Sequence, residues 1–397
     1  MHPHNSLPTA FSSGDEIWLC LTTLHHRRFV EDAIHLAGLP FGSRVRLRYR
    51  RKYISRDIWD GVSQNRSFSS VRVLVTLAAT YEDHNVVRAL RQGKLVSARC
   101  EGSVLVLDIS LESFLSECGA EGSLWRELGQ FHGDAPASFG PLPQDGTYLQ
   151  KLPFFPTSVV GDCTIDAWEH CAQGFFTVAQ AEANGSQGGG PGKSVEKPQG
   201  CVPFLYHLAL PKQGHRWRMN KRGGIIIEAG ASLSVDVHTI TAPHLTKFHN
   251  PAGEILMEAS NSSASFTSSR RVRIDSRRDV RSVRIATSAL FRRSHGHLSV
   301  RTVLFFNKKE QGSDDRSMCS SDDRSDVVIA RHDFPLVIGN LMPIIASAFV
   351  SLATGIAVFK MPDANSDITL RHLIVPATAG VLAFIGLLFG LRKDTKG

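Results

Sequence analysis

The sequence predicts a mainly β fold: two antiparallel β units, sandwich or barrel-like with a few helices, carried on a C-terminal hairpin of two transmembrane helices. Three observations predict it. Short runs with apolar and polar residues alternating at period two recur along the first three hundred or so residues, the pattern of half-buried strands. Residues 183–200 (ANGSQGGGPGKSVEKPQG) have the composition of a flexible linker and divide those runs into two groups. From Phe334 onward, two long runs carry no charge.

Residues 1–14 are expected to be a disordered tail, and 15–182 the first β-rich unit. Ile17–Leu24 reads as a short strand or a helix start. Phe29–Leu36 has apolar residues at 29, 30, 33, 34 and 36, near helical spacing, and Gly38 and Pro40 end it. Ser43–Ile54 (SRVRLRYRRKYI) is the clearest strand: Val45, Leu47 and Tyr49 fall on one face, Arg44, Arg46, Arg48 and Arg50 on the other. Val71–Tyr81 reads as a more fully apolar strand. Leu95–Cys100 and Val104–Ile109 flank Glu101-Gly102, a hairpin turn. Residues 131–162, rich in Gly, Pro and Asp, are expected to form a long loop.

The second unit, 201–306, is expected to hold strands at Leu205–Leu210, Gly224–Glu228, Ser232–Ile240, Arg271–Asp275, Val280–Thr287 and His297–Phe306. Turn-formers separate them at the spacing of a sandwich or barrel. Residues 307–333, with SDDRS twice, read as a polar tether.

The uncharged runs are 334–359 (FPLVIGNLMPIIASAFVSLATGIAVF) and 373–391 (LIVPATAGVLAFIGLLFGL). A bilayer core needs about 20 apolar residues in a helix, and both runs reach that length. Residues 360–372 then form an external loop and 392–397 a cytoplasmic tail. Arg316, Arg324 and Arg331 precede the first span, and Arg392, Lys393 and Lys396 follow the second. That bias puts both termini in the cytoplasm of a bacterial-type inner membrane. Ser347, Ser351 and Gly355 in one span, and Gly386 and Gly390 in the other, recur every four residues. Such spacing suits close helix packing, within one hairpin or between copies.

The net charge is +8. It is concentrated: Arg270, Arg271, Arg273, Arg277, Arg278, Arg281, Arg284, Arg292, Arg293 and Arg301 are opposed only by Asp275 and Asp279 within that stretch. Three readings stay open for this cluster: an anionic ligand or nucleic acid on forked guanidiniums, the anionic lipid of the inner leaflet, or a solvated strand edge. Arg271, Arg273, Arg281 and Arg284, with Arg44, Arg46 and Arg48, are the candidate ligand-binding residues.

Other motifs carry less. GGGPGKS at 188–194 has Gln187 where a phosphate loop requires its first Gly, and Pro198 blocks the helix that should follow. His170-Cys171 are adjacent and so point apart. Asp236, His238, His244 and His249 cluster without a metal-ligand frame. The seven cysteines are scattered with no C-x-x-C, the pattern of reduced thiols. MHPHNSLPTAFSSGDE lacks the apolar core of a signal peptide. No catalytic, metal or cofactor motif stands out. The expectation is a membrane-anchored, non-enzymatic sensor or effector, as in bacterial defence or stress responses. A tethered enzyme acting on an anionic substrate and a membrane-recruiting scaffold are the alternatives. The expected partners are the lipid bilayer, an anionic ligand, nucleic acid or lipid, and further copies of the chain.

Overall fold

The computed structural model describes residues 16–339 except 25–26, 66–67, 69, 82–83, 119–122, 131–146, 186–201, 215, 244–252, 289–292 and 308–323. The first half contains strands β1 (Glu16–Thr22), β2 (Arg44–Arg50), β3 (Val71–Tyr81), β4 (His84–Glu101), β5 (Val104–Glu117), β6 (Leu149–Leu152) and β7 (Val159–Asp162). Its helices are α1 (Arg27–Gly38), α2 (Arg56–Ser63), α3 (Ser123–Gln130) and α4 (Ile165–Gly185).

These strands form one sheet in the order β2-β5-β4-β3-β1-β6, with β7 paired to the far end of β5. Both faces are covered. On one side α1 and α4 bury Val30, Ile34, Trp168 and Phe175 with Trp18, Val73 and Val75. On the other, Leu124 and Leu128 of α3 pack with Leu19, Leu74 and Val87. A strand buried on two faces has no polar face to alternate, which is why β1 and β3 read as continuous apolar runs. β2 lies at the sheet's edge, and its Val45, Leu47 and Tyr49 are buried while Arg46, Arg48 and Arg50 are exposed. The β4–β5 turn falls at Gly102, which adopts φ +61°.

The second half contains β8 (Phe204–Ala209), β9 (Trp217–Met219), β10 (Ile225–Ile227), β11 (Ser232–Thr241), β12 (Gly253–Ala259), β13 (Ala264–Phe266), β14 (Arg271–Ile274), β15 (Arg278–Thr287), β16 (Ser294–Asn307) and β17 (Arg324–Ile338). They make a six-stranded sheet, β14-β12-β16-β17-β10-β9, and a four-stranded one, β13-β15-β11-β8. Ile255, Val272 and Val300 from the first and Val235, Val237 and Val283 from the second share one apolar cluster. The sheets approach closely at Gly253 of β12, where an added Cβ would stand 2.7 Å from the Phe204 ring of β8.

The mainly β architecture is as expected, with several differences in detail. Pairing between the strands is antiparallel except for β1 with β3 and β10 with β17. Two pieces of the expected 131–162 loop are strands, β6 and β7, which close opposite parts of the first sheet. The expected strand at 43–54 ends at Arg50 and continues as a 3-10 turn, Arg51–Tyr53. Residues 183–185 of the expected linker finish α4. The two halves also share a core: α1 residues Val30 and Ile34 belong to the same cluster as Leu205 and Tyr206 of β8 and Phe334 of β17.

The largest difference is β17. Residues 324–333, expected in a tether, and 334–338, expected to open a membrane helix, form one strand between β16 and β10. Phe334, Leu336 and Ile338 are buried in it. Among the described residues no helix is long and apolar enough to cross a membrane. The remainder of the expected hairpin, from residue 340, lies outside the described residues, as do Ser347, Ser351, Gly355, Gly386 and Gly390.

Candidate functional site

A cavity of about 450 Å³ opens where the two halves meet. Four elements wall it: α1 with Asp32 and His35, β2 with Arg44, Val45 and Arg46, the β9–β10 turn with Arg222 and Gly223, and β17 with His332, Asp333 and Pro335. Asp108 of β5 completes the lining.

Each wall has a local cause. Asp32 and His35 are three apart on α1, so they share a face while Val30, Ala33 and Ile34 turn into the core. Arg44 begins the alternating edge strand. The β9–β10 turn is held by Asn220, whose Oδ1 accepts from the backbone N–H groups of Arg222 at 2.8 Å and Gly224 at 2.9 Å. Gly223 takes φ +72°, and a Cβ there would come 2.9 Å from the Arg44 nitrogen. The turn thus seats against β2, and the Arg44 guanidinium donates to the Lys221 carbonyl. On β17, His332 meets the His35 ring edge to face at 5.3 Å between centroids.

The acids and bases here fall into distinct states. Asp108 accepts from Arg46 at 2.8 Å, Ser97 at 2.9 Å and Arg99 at 3.0 Å. Burial pushes its pKa upward, but those donors outweigh burial and hold the carboxyl below its ordinary range. Asp333 is likewise lowered, because hydrogen bonds from Ser299 and Arg331 overcome its burial. Asp32 has no such set of donors among the described residues. Burial raises it to about 7, against the pull of Arg28 and with help from Glu31. Burial lowers His35 to about 3, with the neighbouring His332 adding to the effect. Burial lowers His332 to about 4, against the attraction of Asp333. At neutral pH the two imidazoles are therefore uncharged, and Asp32 stands near the middle of its titration.

Two polar atoms of the lining, His35 Nε2 and Arg44 Nε, are buried with no hydrogen-bond partner among the described residues. Leaving such an atom unsatisfied costs about 1–3 kcal/mol. Neither Arg44 nor Arg222 forms an ion pair among the described residues, whereas Arg46 is engaged by Asp108. The cleft can therefore hold an anion on two guanidiniums and place uncharged hydrogen-bonding groups beside it. Among the described residues its lining holds no Ser, Cys, Thr or Lys to serve as a nucleophile. Asp32 is suited to general acid–base work.

Of the candidate arginines, Arg44 and Arg46 line this cleft, and Arg48 lies exposed farther along the same strand. The other four are not among the residues that line the cleft. Arg271 and Arg273 are exposed on the six-stranded sheet, Arg281 and Arg284 on the four-stranded one. Arg281 is paired with Asp279 at 2.6 Å and Asp275 at 3.3 Å, and Arg271 with Glu254 at 3.8 Å.

The weaker motifs resolve simply. His170 is exposed and bonds the Asp166 carbonyl at 2.9 Å, while Cys171 is buried, so the two side chains do point apart. Asp236 bonds Ser282, and His238 packs near Trp168, with ring centroids 6.3 Å apart. No group of three metal-ligating side chains occurs among the described residues. His244, His249 and the 188–194 glycine run lie outside them.

Sequence reasoning missed Asp32, His35, Arg222, His332 and Asp333, because the cleft joins residues three hundred positions apart. It also missed Arg91, which is 1% exposed. Its guanidinium lies 3.7 Å over the Phe114 ring and donates to the Glu112 carbonyl at 2.8 Å and the Leu36 carbonyl at 3.4 Å. The register of β4 shifts beside it, and such a bulge re-aims a side chain in a way no periodicity announces.

No protein-family model matches the chain, and no curated protein matches it. Among solved structures, a nucleoside hydrolase-related hypothetical protein from Saccharophagus degradans, associated with carbohydrate metabolism, aligns with 52% of this chain at 10% identity and a TM-score of 0.16. The alignment spans 38% of that protein, and a likeness this slight says nothing of fold or chemistry.

Proposed function

We propose that the chain is a membrane-anchored, non-enzymatic sensor or effector of a bacterial-type inner membrane, binding an intracellular anionic ligand with its cytoplasmic β body. One observation carries the reading: β17 supplies His332, Asp333 and Pro335 to the cleft and leads, within two residues, into the uncharged sequence from 340. Residues 339–359 still lack charge after the strand is subtracted, and they keep about the 20 residues that a bilayer core requires. A ligand that favours one position of β17 would thereby bias the hairpin, since a ligand shifts an equilibrium by its differential affinity for two states. The small residues at 347, 351, 355, 386 and 390 would let hairpins of several copies pack together.

The test is to express the full chain and a version ending at Gly339 in bacteria, then measure membrane partition and membrane potential. The full chain should resist alkaline extraction from the membrane fraction and alter the potential, and the shorter chain should do neither. Recovery of the full chain in the aqueous fraction without detergent would overturn the reading. The second reading, a tethered enzyme acting on an anionic substrate, is favoured by Asp32, whose pKa of about 7 suits a general acid or base beside bound anion.

A further inference from the structure

We propose that the cleft between α1, β2, the β9–β10 turn and β17 binds a phosphate-bearing small molecule of mononucleotide size. Its phosphate would sit on Arg44 and Arg222, and an uncharged hydrogen-bonding ring would lie against Asp32, His35 and His332. This deepens the sensor reading and rests on it for the ligand's anionic character.

The cavity volume, about 450 Å³, falls among those of small-molecule sites and is too small for a folded partner. Its two ends differ. At one end Arg44 touches the turn that carries Arg222, so both guanidiniums belong to the same end, without carboxylate partners among the described residues. Of the other charges nearby, Arg46 and Arg99 pair with Asp108 and Arg331 pairs with Asp333, while Arg28 and Glu31 act on Asp32 in opposite senses. A carboxylate fills one guanidinium fork, whereas a phosphate has oxygens enough for two. That favours phosphate over a simple carboxylic acid.

At the other end Asp32 and His35 occupy one face of α1, and His332 of β17 meets the His35 ring. Two neutral imidazoles and a carboxyl that can hold or release its proton offer both donors and acceptors. A second full anion there would meet Asp32, so the ligand's charge belongs at the arginine end. His35 is 7% exposed and its Nε2 has no partner among the described residues, which marks an unfilled hydrogen bond at this end. A flat heterocycle whose edge carries a donor beside an acceptor matches a carboxyl and an imidazole side by side, as base edges are read elsewhere.

The test is isothermal titration of the full chain in detergent with the four common nucleoside monophosphates, their nucleosides and inorganic phosphate. At least one monophosphate should bind about tenfold or more tightly than both its nucleoside and inorganic phosphate. Arg222 is exposed, so Arg222→Ala should keep the fold, checked by circular dichroism, and weaken that binding about tenfold or more. Should that variant not fold, Arg222→Lys retains the charge without the fork and should still weaken binding. Arg273→Ala, on a different sheet edge, should leave it unchanged. Absence of binding by every monophosphate at millimolar concentration would overturn the proposal. So would inorganic phosphate binding equally well, or an unaltered affinity in the folded Arg222 variant. Membrane partition is read separately, so failure of the cleft and failure of the anchor are told apart.

Discussion

His35 of α1 and His332 of β17 lie ring edge to ring face, 5.3 Å between centroids and 65° between planes, across the junction of the two halves. Each is kept neutral chiefly by burial. Phe334 extends the stack, its ring 4.5 Å from that of His332. The contact ties the last described strand to the first helix, so the junction is sensitive to any charge placed on either imidazole.

The first prediction concerns pH. His35 and His207 titrate at about 3 and His332 at about 4 in the folded chain, all below the ordinary 6.5. A base with a depressed folded pKa lends stability that is complete above its unfolded pKa and is lost as pH falls toward the folded one. Asp32 works in the opposite sense, because its folded pKa of about 7 exceeds its unfolded 3.8 and its protonation favours the fold as pH drops. Three groups outweigh one. Urea melts should show stability falling from pH 6.5 to pH 4. His207→Gln should reduce that slope by about 1.4 kcal/mol per pH unit at most, one proton's worth. An unchanged slope would mean that His207 is charged in the fold.

Gly38 provides the second. It ends α1 against β8, where an added Cβ would meet the Tyr206 carbonyl oxygen and ring, both at 2.9 Å. The backbone oxygen cannot rotate away as a side chain can. Gly38→Ala should therefore destabilise by about 1–3 kcal/mol, the usual cost of overpacking. Thermal unfolding measures it. An unshifted midpoint would show that α1 can slide against the sandwich.

Much of the fold can be read from residue pattern, and the reasons for the failures are specific. β2, with Arg46, Arg48 and Arg50 exposed opposite Val45, Leu47 and Tyr49, declares its period because one face is buried and the other meets water. α1 announces itself through Val30, Ala33 and Ile34. β17 misleads because Phe334, Leu336 and Ile338 lie deep between β16 and β10, and its last residues join a run without charge. An apolar strand and the start of an apolar helix look alike over five residues. α4 does carry its pattern: Ala167, Trp168, Cys171, Ala172, Phe175, Phe176 and Ala179 recur at helical spacing and are buried, while Asp166, His170, Gln173, Thr177 and Gln180 are exposed, so the helix was legible and went unread. The cleft was readable only at Arg44 and Arg46. Asp32 and His332 acquire meaning from tertiary packing alone.

Arg91 yields the third prediction. Burial lowers its pKa to about 10, so it stays charged at neutral pH inside the core. Two carbonyls and the Phe114 face stabilise it in place of a carboxylate. A planar, weakly hydrated guanidinium tolerates that setting, and a compact ammonium does not. Arg91→Lys should thus destabilise more than Arg91→Met, which removes the charge and keeps most of the volume. Comparison of the two denaturation midpoints decides it, and a Lys variant as stable as the Met variant would show that water reaches the site.

The last prediction concerns where the fold ends along β17. A chain ending at Asp333 loses Phe334, Leu336 and Ile338, which are 1%, 0% and 0% exposed. Each large apolar side chain buried is worth about 1.5–3 kcal/mol, so the three together approach the whole net stability of a domain, about 5–15 kcal/mol. The same cut removes the pairing of β10 with β17, Ile225 to Leu336 through Ile227 to Ile338. A chain ending at Gly339 keeps all of it, including the Gly339 N–H to the Ile227 carbonyl at 2.7 Å. The longer version should give a cooperative melt, and the shorter one, differing by six residues, should be recovered unfolded or aggregated. Equal behaviour of the two would mean that the end of β17 belongs with the uncharged segment beyond Gly339, and the proposed path from the cleft to that segment would be lost.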